Sequence, residues 1–363
     1  MKIGIFTFHR ATNAGANLQA FAFQHFLVLN GFNSEFVDYI PNSEVSHETV
    51  IKKVAHTFKS LINPKSRKIT KKAQKYEAFQ KKFLCISDEK YCGDNSILNK
   101  KLDYDVLISG SDQIFNLSLS KNSIAYYLPF NYGYKFSYAS SFGRENISDE
   151  EKNAIIKYLP SFDDVSFRET SGYEIVSQLN HLTKKNIVVD PVFLIDVSEW
   201  EKFTKTTERK KFIFAYIMEA SEAIQNTLEW IYTKFPELNV FILYGSNCKL
   251  KLSFKHKILS IVDPIDFLSL VKNSEFNVTN SFHGLALSLI FRKKVYCCAH
   301  TSRNTRINNL LAIIHQEHKL ITNTTNDFSF VDSNYDKSDL ENMISFSRNY
   351  VLNNLNVANK STK

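Results

Sequence analysis

Within its first forty residues the chain runs strand, polar loop, helix, strand, and that order commits it to a parallel α/β sheet. Ile3 to Phe8 is an apolar run of strand length, and Thr12-Asn13-Ala14-Gly15-Ala16-Asn17 breaks it. Leu18, Phe21, Ala22, Phe26 and Leu29 then recur on one helical face. Gly31 stops the helix, and Glu35-Phe36-Val37-Asp38-Tyr39 resumes as a strand. The loop has neither a G-x-G-x-x-G fingerprint nor a Walker lysine, which argues against a nicotinamide or P-loop nucleotide site.

The pattern continues down the chain. Asp105 to Ile108 ends at Ser109-Gly110-Ser111-Asp112-Gln113, and Lys135 to Ser141 ends at Phe142-Gly143-Arg144. Asp164 to Phe167 ends at Arg168-Glu169, and Ile187 to Val189 at Asp190-Pro191. Each strand runs out into small, polar or charged residues, where open α/β sheets bind ligands. Residues 196–211 are polar and charged and read as a linker. A second α/β series follows, and Ser338 to Val357 reads as a helix. With 363 residues the chain exceeds one ordinary core. The expected architecture is α/β: an N-terminal domain over 1–200 with a basic helical insertion at about 44–84, and a C-terminal domain over 205–335. A cleft is expected between them, and a final helix over 336–363 is expected to pack back on the first domain.

Composition narrows the class. Hydrophobic content is 44%, enough for buried cores and too much for general disorder. Formal net charge is +8, which favours anionic partners. The densest patch is Pro64–Lys82, read either as a solvated helix face or as a peripheral membrane contact; no nucleic-acid module accompanies it. Five cysteines form no C-x-x-C pair, as in a reduced, cytoplasmic chain. A strand begins directly after Met1, so no signal peptide is expected. No apolar run reaches the ~18–20 residues of a membrane span. Metal ligation is not expected, since the nearest histidine pair, His315 and His318, has no third ligand in sequence.

Phe276 to Thr279 reads as a buried strand and Leu285 to Phe291 as a helix, with Asn280-Ser281-Phe282-His283-Gly284 between them. Asn280 or Ser281 can cap the helix, whose free N–H groups and dipole also make an anion site. His283 is then either a proton donor beside a bound anion or a packed histidine on a capped helix.

Taken in order, these stretches resemble the polysaccharide pyruvyl transferase family. The resemblance rests on Asn13-x-Gly15-x-Asn17-Leu18-Gln19-Ala20, Ser109-Gly110-Ser111-Asp112-Gln113-Ile114-Phe115-Asn116 and Tyr138-Ala139-Ser140-Ser141-Phe142-Gly143. It continues through Ser166-Phe167-Arg168-Glu169, Val189-Asp190-Pro191-Val192-Phe193-Leu194, Thr279-Asn280-Ser281-Phe282-His283-Gly284 and Ser302-Arg303-Asn304-Thr305-Arg306-Ile307. It implies a GT-B-like pair of Rossmann-like domains. It also implies transfer of the pyruvyl unit of phosphoenolpyruvate, as donor substrate and without a further cofactor, to two hydroxyls of a sugar. The acceptor would be a sugar or lipid-linked oligosaccharide of a capsule or exopolysaccharide, met in the cytoplasm or at the inner membrane face.

That chemistry needs an acid for the methylene carbon, cations for two anionic groups and a base for a hydroxyl. His283 is the candidate acid. Arg168, Ser281, Gly284, Arg303 and Arg306 are the candidate donor site, with Arg168 alternatively paired to Glu169. Asp112 is a candidate base or acceptor-orienting group, or simply a turn residue. Asn13, Gly15, Asn17, Gln19, Ser111, Gln113 and Phe142 are the candidate acceptor wall; Asn17 is alternatively a helix cap and Phe142 a core residue. Asp190, before Pro191, reads as a turn former. A nucleotide-sugar glycosyltransferase of the same architecture and a non-enzymatic anion-binding protein are the competing readings.

Overall fold

β1 (Lys2–Phe6) lies at the centre of a five-stranded parallel sheet ordered β3 (Ile86–Cys92), β2 (Asn33–Ile40), β1, β4 (Val106–Ser109), β5 (Tyr134–Ser137). The computed structural model describes residues 1–42, 64–120, 122–130, 133–179, 184–206, 211–301, 304–325, 328–332 and 335–361, with side chains for the same residues except 64–66 and 361. The first half of the expected insertion, residues 43–63, therefore lies outside the described residues.

Two compact units form: Met1–Thr12, Ala16–Ile195 and Asn342–Lys363 make one, and Asn13–Gly15 with Asp196–Glu341 make the other. In the first unit, helices α1 (Ala14–Leu29) and α2 (Pro64–Phe83) connect the early strands. A two-stranded parallel pair, β6 (Val165–Phe167) and β7 (Lys185–Ile187), extends the β5 edge through isolated bridges such as Ser140 to Phe167. β4 is wholly buried, as a parallel strand covered on both faces must be. Phe6, Leu107, Phe115, Phe142 and Phe167 fill its core. Helix α3 (Asp149–Tyr158) starts with a capping box between Ser148 and Glu151, and α4 (Thr170–Leu179) follows β6.

The second unit repeats the plan. Its sheet runs β10 (Lys257–Leu259), β9 (Asn239–Tyr244), β8 (Phe212–Ile217), β11 (Phe276–Thr279), β12 (Lys294–Cys297). Helices α5 (Glu222–Lys234), α6 (Pro264–Asn273), α7 (Phe282–Ile290) and α8 (Thr305–Ile313) connect or follow these strands. Residues 197–201, read from sequence as linker, instead form a short helix because Trp200 is wholly buried. The last helix, α9 (Ser338–Ser361), gives residues 342–361 to the first unit. There Tyr350 Oη donates to Ser137 O at 3.0 Å, and Val189 N donates to Ser347 Oγ at 2.9 Å.

Strand order reverses at one point in each sheet, between β1 and β4 and between β8 and β11. Crevices at the carboxyl ends of such pairs are where doubly wound folds hold ligands.

Beside the first of these points, Arg10 Nε and Nη2 both donate to Asp38, and His9 Nε2 stands 3.6 Å from the same carboxylate. Burial alone would raise the Asp38 carboxyl; the hydrogen bonds and charges of His9 and Arg10 outweigh it and lower it from 3.8 to about 2. A depressed carboxyl stabilises the fold fully above its ordinary value and loses that contribution as pH falls through its folded one. The difference is worth about 2 kcal/mol. Urea unfolding measured from pH 5 to about pH 2 should show this loss in the wild type. Asp38→Asn should start less stable and fall less steeply; parallel curves would show that the carboxylate contributes nothing.

Candidate active site

In the second unit, His283 is the second residue of α7, directly after the carboxyl end of β11, one of the two strands at the reversal point. Thr279 fixes the turn: its Oγ1 donates to Tyr216 O at 2.7 Å and accepts from Ser281 N at 3.0 Å. A β-carbon on Gly284 would stand 2.4 Å from that hydroxyl, so a glycine lets α7 close on β11. Gly284 therefore serves packing. Ser281 occupies the cap position without making a side-chain cap, and Asn280 turns away to accept from Met218 N at 2.8 Å and donate to Glu219 O at 2.7 Å. The capping expected from either residue is absent, and the positive helix end keeps its capacity for an anion.

Arg306, at the start of α8, places its guanidinium carbon 5.9 Å from the centre of the Phe282 ring, whose edge meets the His283 imidazole at 5.3 Å between centroids. A cation is thus held one ring away from the imidazole. Arg303 lies outside the described residues. Gly15, which clusters with this unit, approaches so closely that a β-carbon there would sit 2.2 Å from His283 Nδ1. Asn13 Nδ2 reaches Tyr216 Oη at 3.5 Å. Burial first, partly offset by Asn13, pushes that phenol up to about 12.

In the first unit, Asp112 follows β4 at the other reversal point with φ of 80°, a left-handed conformation that costs a non-glycine residue. Its carboxylate accepts from Gln113 N at 2.9 Å and stands 3.5 Å from Arg168 Nη2. Arg168, expected to offer an open fork to the donor, is 3% exposed and already surrounded by acids. Nη1 donates to Asp190 at 2.6 Å, and Nε lies 3.7 Å from Glu169. Burial opposes its charge, but Asp190, Asp112 and Glu169 together raise its pKa. A buried guanidinium needs counter-charge, and here three carboxylates supply it. Of the two readings of Arg168, an anion fork or an ion pair with an acid, the geometry matches the ion pair, with Arg168 bracing an acidic cluster. Asp190, read as a turn former, both caps Val192 N and holds Arg168.

The expected acceptor wall needs similar correction. Phe142 is wholly buried against Phe115 and Phe167, so its ring packs the core and does not stack a sugar. Asn17 is buried inside α1, past the cap position, and bonds Ala11 O and the Gln80 amide. Gln19 is 1% exposed and donates to Thr7 Oγ1 and Ala16 O. These two polar side chains point inward and tie down the loop after β1. Ser111 is also buried, with its hydroxyl lacking a hydrogen bond among the described residues. Gln113 is half-buried, its side chain laid over Gly143.

The family profile for polysaccharide pyruvyl transferase matches residues 13–302. The chain belongs to the polysaccharide pyruvyl transferase family. Its general reaction is therefore pyruvyl transfer to polysaccharide. No curated protein sequence matches the chain. Among solved structures, UDP-GlcNAc 2-epimerase from Neisseria meningitidis, bound to UDP-GlcNAc, is similar at 12% identity and a TM-score of 0.50, covering 98% of this chain and 99% of that one. UDP-N-acetylglucosamine 2-epimerase from Rickettsia bellii aligns at 9% identity and a TM-score of 0.47, covering 98% and 96%. The Neisseria likeness shows the fold alone: GT-B-like, with two Rossmann-like units.

For this pyruvyl transferase family member, sequence reading missed a polar cluster that follows β8 and β12 in the second unit. Glu219, just past β8, accepts from Thr301 N at 2.8 Å and Thr301 Oγ1 at 2.7 Å, and its carboxylate stands 3.1 Å from His300 Nδ1. The signal was present, since Glu219 and His300 both follow strands, but each is a lone polar residue without a motif. A cavity of about 400 Å³ lined by Lys205, Lys257, Asp266 and Ser269 opens beside Phe212, at the amino end of β8, away from these strand ends.

Proposed function

We propose that the protein transfers the pyruvyl unit of phosphoenolpyruvate to two hydroxyls of one sugar in a cell-surface polysaccharide or its precursor. The observation that carries this reading is His283 on the uncapped amino end of α7, with Arg306 over the neighbouring Phe282 ring, in a chain of this family. The helix end and Arg306 suit an anionic donor, and His283 suits delivery of a proton to its methylene carbon.

The atoms balance without a redox partner. The methylene gains one proton and becomes methyl. Two sugar oxygens bond to the central carbon, and its bond to the phosphate oxygen breaks. Of the two hydroxyl protons released, one is matched by the proton taken up at carbon and the other leaves with phosphate. We assign His283 as the acid and Ser281 with Arg306 as donor contacts. Asp112, oriented by Arg168, is assigned as base for a sugar hydroxyl. The first unit's cluster has three carboxylates against one guanidinium, which suits hydroxyl donors and repels a second anion. Five free cysteines support a reducing, cytoplasmic setting. No helix of the described residues is long and apolar enough to cross a membrane.

Incubation of the pure protein with phosphoenolpyruvate and a panel of glycosides carrying free diols should release phosphate and add a pyruvate ketal to at least one of them. Thermal stabilisation by UDP-sugars with none by phosphoenolpyruvate would replace this reading with nucleotide-sugar chemistry.

A further inference from the structure

The chain's charge is concentrated in one element. Helix α2 carries Lys65, Arg67, Lys68, Lys71, Lys72, Lys75, Lys81 and Lys82 against the single acid Glu77, a net of +7 within a chain of net +8. The rest of the protein is close to neutral. From Arg67 to Lys82 the basic side chains span about 22 Å at 1.5 Å per residue. Arg67, Lys68, Lys71, Lys81 and Lys82 are exposed, with Lys72 and Lys75 half-buried.

The other face of α2 is already used. Tyr76, Phe79 and Gln80 are buried, Phe79 and Phe83 meet Phe21 of α1 at 6.4 and 6.1 Å, and Gln80 donates to Asn17 at 3.0 Å. The aromatics that would stack on unpaired bases are therefore turned inward, which disfavours single-stranded nucleic acid. What remains outward is a long basic surface with one exposed large apolar side chain, Ile69, at 61% exposure. Such a surface is complementary to a plane of anionic headgroups.

We propose that α2 docks the protein on an anionic phospholipid surface, lying flat with its basic face toward the headgroups. Binding is electrostatic, because the apolar face stays on α1 and does not insert. This does not depend on the reaction proposed above, although it would bring the enzyme to lipid-linked acceptors.

The test is sedimentation of the full-length protein with phosphatidylcholine vesicles made with or without phosphatidylglycerol. Binding is expected only with phosphatidylglycerol, and it should fall steeply between about 0.05 and about 0.5 M salt. Changing Lys68, Lys71, Lys75 and Lys82 to Gln, which keeps helix propensity, should weaken it at least about tenfold. The control removes equal charge from the second unit through Lys249→Gln, Lys251→Gln, Lys255→Gln and Lys257→Gln, and should bind nearly as wild type. Absence of vesicle binding, equal loss in both quadruple variants, or duplex DNA competing as well as the anionic vesicles would each overturn the assignment.

Discussion

Replacing Arg168 with Met is expected to destabilise the first unit by about 3–5 kcal/mol. The guanidinium is the cation that Asp190, Asp112 and Glu169 share, and Arg168, Asp190 and Glu169 are almost wholly buried. Removing it strands carboxylates where water cannot solvate them. The cost is the desolvation of the acids left behind, which exceeds the net worth of the pairs themselves. Denaturant unfolding should show an early transition for this unit, while the second unit keeps its midpoint. Arg168→Met combined with Asp190→Asn should recover part of the loss, because one stranded charge is then removed. An unchanged midpoint in the single variant would mean that the acids do not depend on Arg168.

His283→Gln is expected to lower turnover with phosphoenolpyruvate by about 10²–10⁴-fold, the usual contribution of a positioned general acid. Gln keeps a polar group at the same helix position but has no proton to give at neutral pH. The KM for phosphoenolpyruvate should change much less than kcat, whereas Arg306→Met should chiefly raise KM. Gly15→Ala provides a second route to the same group. Its methyl carbon would stand 2.2 Å from Nδ1, so the imidazole or the loop must move. A shift of about 1 Å at a reacting group costs on the order of 10²-fold in rate. Wild-type rates in His283→Gln would remove the imidazole from the mechanism. Wild-type rates in Gly15→Ala would show that its position is not critical.

Much of the fold was legible in the sequence. The runs at 3–8, 105–108 and 276–279 fall on the central parallel strands β1, β4 and β11. Their polar ends mark the carboxyl edge of each sheet. The motif at 279–284 puts His283 at a helix start, because a strand, a polar break and an apolar helix leave few other geometries. The inward side chains were less legible. Phe142, Asn17 and Gln19 belong to the same motifs as the candidate site residues, and a motif does not say which members face the core.

The sequence by itself determined the α/β class, the placing of His283 and Asp112 after strands, and the concentration of charge on α2. Those features are local: they follow from periodicity, length and turn chemistry over a dozen residues. Only the tertiary structure decided that Gly15 closes on His283, that Arg306 lies over Phe282, and that Arg168 serves three acids. Such contacts join residues far apart in the chain. They are selected by packing and by the need of buried charge for a counter-charge, neither of which leaves a periodic trace in the sequence.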